Sequence, residues 1–140
     1  MSHIKLADYP TSAPEGWTKK ETKKKTKELV DQLAELQHRL YATRKHSVLV
    51  VFQGMDATGK DGATRKVFAK CSPAGVKVKA FKKPTEEEFA HDFLWRVHKH
   101  VPEKGFVQIF NRSHYEDVLI QRVHNWIDEK HVAKRIASIN

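Results

Sequence analysis

Cysteine is almost absent from this chain: Cys71 stands alone among 140 residues, so no disulfide can form within it. A lone thiol fits a reducing compartment, and a cytoplasmic location is the expectation. Long hydrophobic runs are missing as well. The longest apolar stretch, Ser47 to Phe52, is far short of the roughly 20 residues of a membrane-spanning helix, and the first twenty residues lack the apolar centre of a signal peptide. Neither membrane insertion nor secretion is expected. Acidic residues are the minority charge, 17 against 26 Lys plus Arg, and the resulting +9 favours a polyanionic partner. Nine histidines are present, yet no Cys/His group has zinc-ligand spacing. His98 and His100, two apart on a predicted helix, face different sides.

What is there suffices for one modest core, since a domain of this size buries about two-thirds of its unfolded surface. The expected organisation is an N-terminal leader over 1–18 and a single domain over 19–140. Two groups carry the positive charge. Lys19, Lys20, Lys23, Lys24, Lys25 and Lys27 precede Leu29, Leu33, Leu36 and Leu40 at helical spacing, which reads as a solubilised amphipathic helix from about Lys19 to Lys45. The second group is Lys77, Lys79, Lys82 and Lys83, on a predicted strand and the turn after it. Lys82 and Lys83 fall at the carboxyl end of that strand, where open α/β sheets hold ligands, so this group is the better anion-binding candidate.

Ser47 to Phe52 is a short, continuous, β-branched run, the pattern of a strand buried on both faces of a parallel sheet. A helix opening near Gly59 follows, then a strand over Gly75 to Phe81. Next comes a helix from about Thr85 to His100 with Phe89, Phe93, Leu94 and Val97 on its apolar side, opened by a Thr85/Glu88 capping box. A strand over Gly105 to Phe110 and helices over Ser113 to His124 and Asp128 to Ile139 complete an α/β pattern with right-handed crossovers. Trp95 and Trp126 read as core or interface residues.

Between the first strand and the next helix lies Gly54-Met-Asp-Ala-Thr-Gly-Lys-Asp-Gly62, which fits G-x-x-x-x-G-K. Backbone N–H groups of Gly54, Met55, Ala57, Thr58, Gly59 and Gly62 can turn inward around phosphate, the helix N-terminus adds partial positive charge, and Lys60 neutralises the terminal phosphates. The usual Ser or Thr after the lysine is replaced by Asp61. Asp61 can bind a metal directly or through water, or simply favour the helix N-terminus through its dipole; Asp56 is either a second acid at the site or a turn-stabilising residue. At the end of the third strand, Phe110-Asn-Arg-Ser-His-Tyr-Glu-Asp117 places Arg112 as an oxyanion clamp, with Asn111 in the place of an expected aspartate and Glu116 or Asp117 taking over the acid role. Ser113 also reads as a helix N-cap completed by Glu116.

The phosphate loop, Phe81-Lys-Lys-Pro84, His91-Asp-Phe-Leu-Trp-Arg96 and Phe110-Asn-Arg-Ser-His-Tyr-Glu-Asp-Val118, in that order, give the chain from about Leu36 to Asn140 a resemblance to the polyphosphate kinase 2 family. The resemblance implies a three-layer phosphate-loop kinase fold, a parallel sheet flanked by helices. It also implies transfer of the terminal phosphate of inorganic polyphosphate, reversibly, to a nucleoside mono- or diphosphate such as AMP or ADP. Asp56, Lys60, Asp61, Arg112 and Glu116 would be catalytic, with Asp56 and Asp61 holding magnesium or manganese. Lys82 and Lys83 would line the polyphosphate channel, and Asn111 and Ser113 would contact substrate beside the loop. A homodimer or homotetramer is in keeping with the family. Family members continue with a further strand and an arginine-bearing lid, so both are expected to be missing from these 140 residues. Three competing readings remain: a non-catalytic polyphosphate-binding homologue, a sequence-independent nucleic-acid binder using the N-terminal lysines, and an ATP-dependent small-molecule kinase.

Overall fold

A computed structural model describes Lys5 and residues 8–140; the remaining leader residues lie outside the described part. Helix α1 runs over Lys19–Thr43, opened by a capping box in which the Thr18 hydroxyl accepts from the Glu21 N–H. Strand β1 (Val48–Phe52) leads through the phosphate loop into α2 (Lys60–Val67). A short 3-10 turn at Pro73–Gly75 precedes β2 (Val76–Ala80). Then come α3 (Glu86–Ala90), α4 (Trp95–His98), β3 (Val107–Asn111), α5 (Glu116–Val123) and α6 (Glu129–Ile139). Among the described residues no helix is long and apolar enough to cross a membrane.

The three strands form a parallel sheet in the order β1-β3-β2, with Val107 of β3 level with both Val48 and Val76, and Asn111 level with both Phe52 and Ala80. β3 is therefore paired along both edges, and because successive residues point to opposite faces, the burial of Val107, Gln108, Ile109 and Phe110 shows that it is covered on both faces as well. The expectation that the Ser47–Phe52 run is the doubly buried strand is corrected: β1 pairs only with β3 among the described residues, and Val48, Leu49 and Val51 stay exposed. Apolar composition reports that a strand seeks cover, whereas its place in the sheet decides whether the cover is there. The main apolar cluster joins Phe81, Phe110 and Val97, with Leu94 against it. The Phe81 and Phe110 rings meet edge-on at 4.9 Å.

The single helix expected over Thr85–His100 is two short ones. The Thr85/Glu88 capping box forms as expected, but His91 is extended and the Asp92 carboxylate accepts from the Leu94 N–H, ending one helix and setting up the next. This break directs Leu94 and Val97 to the core and leaves Phe89 half exposed against Trp126.

A buried polar network ties these helices together. Arg96 on α4 donates from Nε and Nη2 to Asp117 on α5 (3.2 and 2.9 Å) and from Nη1 to the backbone carbonyl of Lys82 (2.9 Å). Arg135 on α6 donates to the Asp117 carbonyl and to Gln121, whose amide donates back to the Asp117 carboxylate. Burial pushes the Asp117 carboxyl above the usual carboxylate range even against the pull of Arg96.

α1 docks through its C-terminal half at the amino ends of the strands. The Gln37 side chain accepts from the Ser72 N–H just before β2, and Tyr41 meets Phe106 just before β3 at 5.5 Å. Leu29 and Leu36 of its apolar stripe remain exposed.

Candidate active site

The carboxyl ends of all three strands are stitched together by backbone bonds. The Arg112 N–H donates to the carbonyl of Phe52 (2.9 Å), and the Phe81 N–H to that of Asn111 (3.0 Å). Everything that leaves the sheet at this end is thereby gathered: the phosphate loop after β1, the paired lysines after β2 and Asn111-Arg112 at the end of β3. Between them opens a cleft of about 530 Å³.

The loop takes its shape from small residues and two left-handed positions. Gly59, the N-cap of α2, has φ +89°, and a Cβ on Gly54 would lie 2.9 Å from the Thr58 hydroxyl. Ala57 is held at φ +64°, and across the cleft Arg112 sits at φ +61°; each costs about 1–3 kcal/mol, which the surrounding contacts must supply. Lys60 Nζ donates to the carbonyls of Gly54 (2.8 Å) and Met55 (2.6 Å) and to the Thr58 hydroxyl (3.3 Å), so the ammonium is held inside the loop that its backbone encloses.

Of the residues singled out from the sequence, Asp56, Ala57, Gly59, Lys60 and Asp61 line the cleft from the loop side. Lys82, Lys83, Asn111 and Arg112 line it from the other. The two acids are already engaged: Arg112 pairs with Asp56, and the Asn111 amide donates to Asp61. Gly54 and Thr58 shape the loop without lining the cleft, Met55 stands in solvent, and Gly62 lies within the first turn of α2. Of the four lysines in the second basic group only two reach the site. Lys77 instead pairs with Glu103 at 2.5 Å, and Lys79 lies 5.9 Å from the Phe81 ring centroid.

Glu116 lies beside the cleft, 3.6 Å from Arg112 Nη1 and accepting from the Gln53 amide at 2.8 Å. The capping box expected at Ser113 and Glu116 does not form. The Ser113 hydroxyl, fully buried, donates to Gln53 Oε1 (3.1 Å) and accepts from the Tyr115 N–H. α5 starts without a side-chain cap, because Gln53 and Arg112 claim the carboxylate that would have closed the box. Gln53 is the residue that sequence reading missed. It joins the end of β1 to both Ser113 and Glu116, and its only signal is its place between the strand and the first glycine of the loop. His114 is half-buried next to this group. Burial holds its imidazole below the ordinary histidine range against the opposing pull of Asp117, and its Nδ1 has no hydrogen-bond partner among the described residues.

A divalent cation suits this donor set. Asp56 and Asp61 offer hard carboxylate oxygens to one cleft, matching magnesium or manganese rather than a soft metal. Among the described residues no group of three or more His, Cys, Asp or Glu side chains converges on one point, so water and phosphate oxygens would complete the shell, as is usual for magnesium.

The model of the family described as polyphosphate kinase 2 matches residues 16–140. The chain belongs to the polyphosphate kinase 2 family. An AMP/ADP-polyphosphate phosphotransferase of Meiothermus ruber is 55% identical over 108 residues, 77% of this chain and 40% of the relative. An ADP-polyphosphate phosphotransferase of Rhodopseudomonas palustris is 52% identical over 95 residues, 68% of this chain and 33% of the relative. The crystal structure of polyphosphate kinase 2 from Arthrobacter aurescens superimposes with a TM-score of 0.92 at 42% identity, covering all of this chain and 52% of that one. The chain thus has the phosphate-loop kinase architecture of the family and spans about half or less of these relatives' length.

Proposed function

We propose that this chain is a polyphosphate-dependent nucleotide kinase, moving the terminal phosphate of inorganic polyphosphate onto a nucleoside mono- or diphosphate, reversibly. One observation carries the reading. Lys60, Arg112, Lys82 and Lys83 face one cleft together with two carboxylates, an arrangement suited to phosphate chains bridged by a cation and ill suited to a neutral substrate. The names of the relatives, phosphotransferases acting between polyphosphate and AMP or ADP, support the same substrates.

Phosphoryl transfer asks little covalent chemistry of a protein; it requires positioning and neutralisation of charge. Lys60, pre-held by the loop carbonyls, trades those contacts for oxygens of the phosphate in flight. Arg112, held at the strand end by its own backbone bond to Phe52, spans the reacting centre from the opposite wall. Glu116, oriented by Gln53, fixes the Arg112 guanidinium and the acceptor beside it. Lys82 and Lys83 receive the remaining chain of the donor. Asn111 orients Asp61, and Ser113 locks Gln53. A divalent cation on Asp56 and Asp61 would neutralise phosphate oxygens and align them.

The test is incubation of the folded chain with polyphosphate, magnesium and AMP or ADP, following ADP and ATP formation. Product is expected, with Lys60→Ala reducing the rate by about 10²–10³-fold, the usual effect of removing one transition-state donor. Binding of polyphosphate without turnover, or equal turnover in the variant, would overturn the assignment.

A further inference from the structure

Lys82 and Lys83 lie on a connection without regular structure, between the end of β2 at Ala80 and the start of α3 at Glu86. A pair of lysines on a free loop holds an anion weakly, because binding must first order the chain that carries them. This loop is tied down at three places. The Phe81 N–H donates to the Asn111 carbonyl (3.0 Å), the Lys82 carbonyl accepts from Arg96 Nη1 (2.9 Å), and the Thr85 N–H donates to Glu88 Oε2 (3.0 Å). Pro84, between the second and third ties, fixes its own φ and biases Lys83 to extended backbone.

Two of these ties meet in one group. Glu88 Oε2 also accepts from Arg96 Nη1 (3.3 Å), so the nitrogen that holds the Lys82 carbonyl also holds the carboxylate that anchors Thr85. The guanidinium has a fixed seat from which to do this: its Nε and Nη2 are bonded to Asp117, and its side chain is 5% exposed. A planar fork of donors can serve two carboxylates and a carbonyl at once, whereas a lysine ammonium on a flexible stem cannot reach all three. Burial pushes the Glu88 carboxyl upward, but the Thr85 N–H and the Arg96 guanidinium outweigh it and hold the group below its usual range, so it is ionised in this contact. Neither Arg96 nor Glu88 lines the strand-end cleft. We propose that Arg96 and Glu88 are positioning residues, a clamp that presents Lys82 and Lys83 to the phosphate chain without touching it. The inference rests on the reading of the cleft as a polyanion site and adds what makes its lysine pair ready to bind.

The sign of one substitution separates positioning from electrostatics. Glu88→Ala removes a negative charge near a cationic site, so Coulomb attraction alone would tighten anion binding. Positioning requires the opposite. Calorimetric titration with tripolyphosphate is expected to show Glu88→Ala binding about tenfold more weakly than wild type, the usual scale for losing a hydrogen bond to a charged group. Glu88→Gln, which keeps an acceptor for the Thr85 N–H, should stay within about twofold of wild type. In a Lys82→Gln/Lys83→Gln background, Glu88→Ala should weaken binding no further, because the clamp acts only through the lysines. Glu88→Ala binding as tightly as wild type or more so, or losing as much in that background as in wild type, overturns the clamp. Amide exchange at Thr85 in Arg96→Lys gives a readout that needs no ligand. It should quicken about tenfold although the Glu88 acceptor is still present, and unchanged exchange overturns the clamp as well. Failure of wild type to bind tripolyphosphate would overturn the reading of the cleft instead, while Thr85 exchange still decides whether the loop is clamped.

Discussion

The ammonium of Lys60 meets three oxygens of its own loop, and under the proposed function a phosphate chain would compete for the same protons. The placement of this lysine was legible in the sequence, because spacing alone puts it seven positions into a glycine-bounded turn between a strand and a helix. Gln53 was not, since a glutamine at a strand end has no distinguishing pattern until Ser113 and Glu116, sixty and more residues later, are brought against it. His114 carries the pH prediction at this scale. Its imidazole is held neutral in the fold, with a pKa below that of the unfolded chain, where histidine titrates near about 6.5. Its contribution to stability is therefore complete above that pH and is lost as pH falls below it, because the unfolded chain takes up the proton first. Thermal melts at pH 7.5 and 5.5 should show a smaller acid-induced drop in Tm for His114→Gln than for wild type.

Elements were legible where local signals agreed and misread where a distant partner intervened. The capping box of α1, the Thr85/Glu88 box of α3 and the Asp128 cap of α6, where the carboxylate accepts from the His131 N–H, all follow from neighbouring residues. The break between α3 and α4 and the missing cap of α5 do not. In one case Asp92 prefers its own backbone, and in the other Glu116 is drawn away to Gln53 and Arg112. The network centred on Asp117 works at the same scale, fixing α4, α5 and α6 and, through Arg96, the carbonyl of Lys82 at the cleft. Asp117→Ala leaves the buried Arg96 guanidinium without its carboxylate acceptor and the Gln121 amide without its partner, while Arg135 keeps the backbone carbonyl. It should destabilise the fold by about 3–5 kcal/mol, the usual result of removing one partner of a buried ion pair, measured by urea denaturation. Asp117→Asn, which keeps the shape and one acceptor oxygen, should lose distinctly less.

At the scale of the whole molecule, the net charge of +9 is spread over faces with different roles. The lysines early in α1 stand on a helix that docks at the amino ends of the strands, whereas Lys60, Lys82 and Lys83 converge at the carboxyl ends. Polyphosphate binding should weaken steeply with salt, log Kd rising linearly with log salt concentration as it does for other polyanions. Neutralising Lys82 and Lys83 to Gln should flatten that slope, and neutralising Lys23 and Lys24 should leave it nearly unchanged; titrations at three ionic strengths read both. The α/β alternation, the phosphate loop and the cation-rich strand ends can be read along the chain, because each depends on adjacent residues. That β3 rather than β1 is the covered strand, that two of four lysines enter the cleft, and that Trp126 stands half exposed in a hollow also lined by Arg112 emerge with folding. These depend on strand order and on contacts between distant segments, which no local pattern encodes.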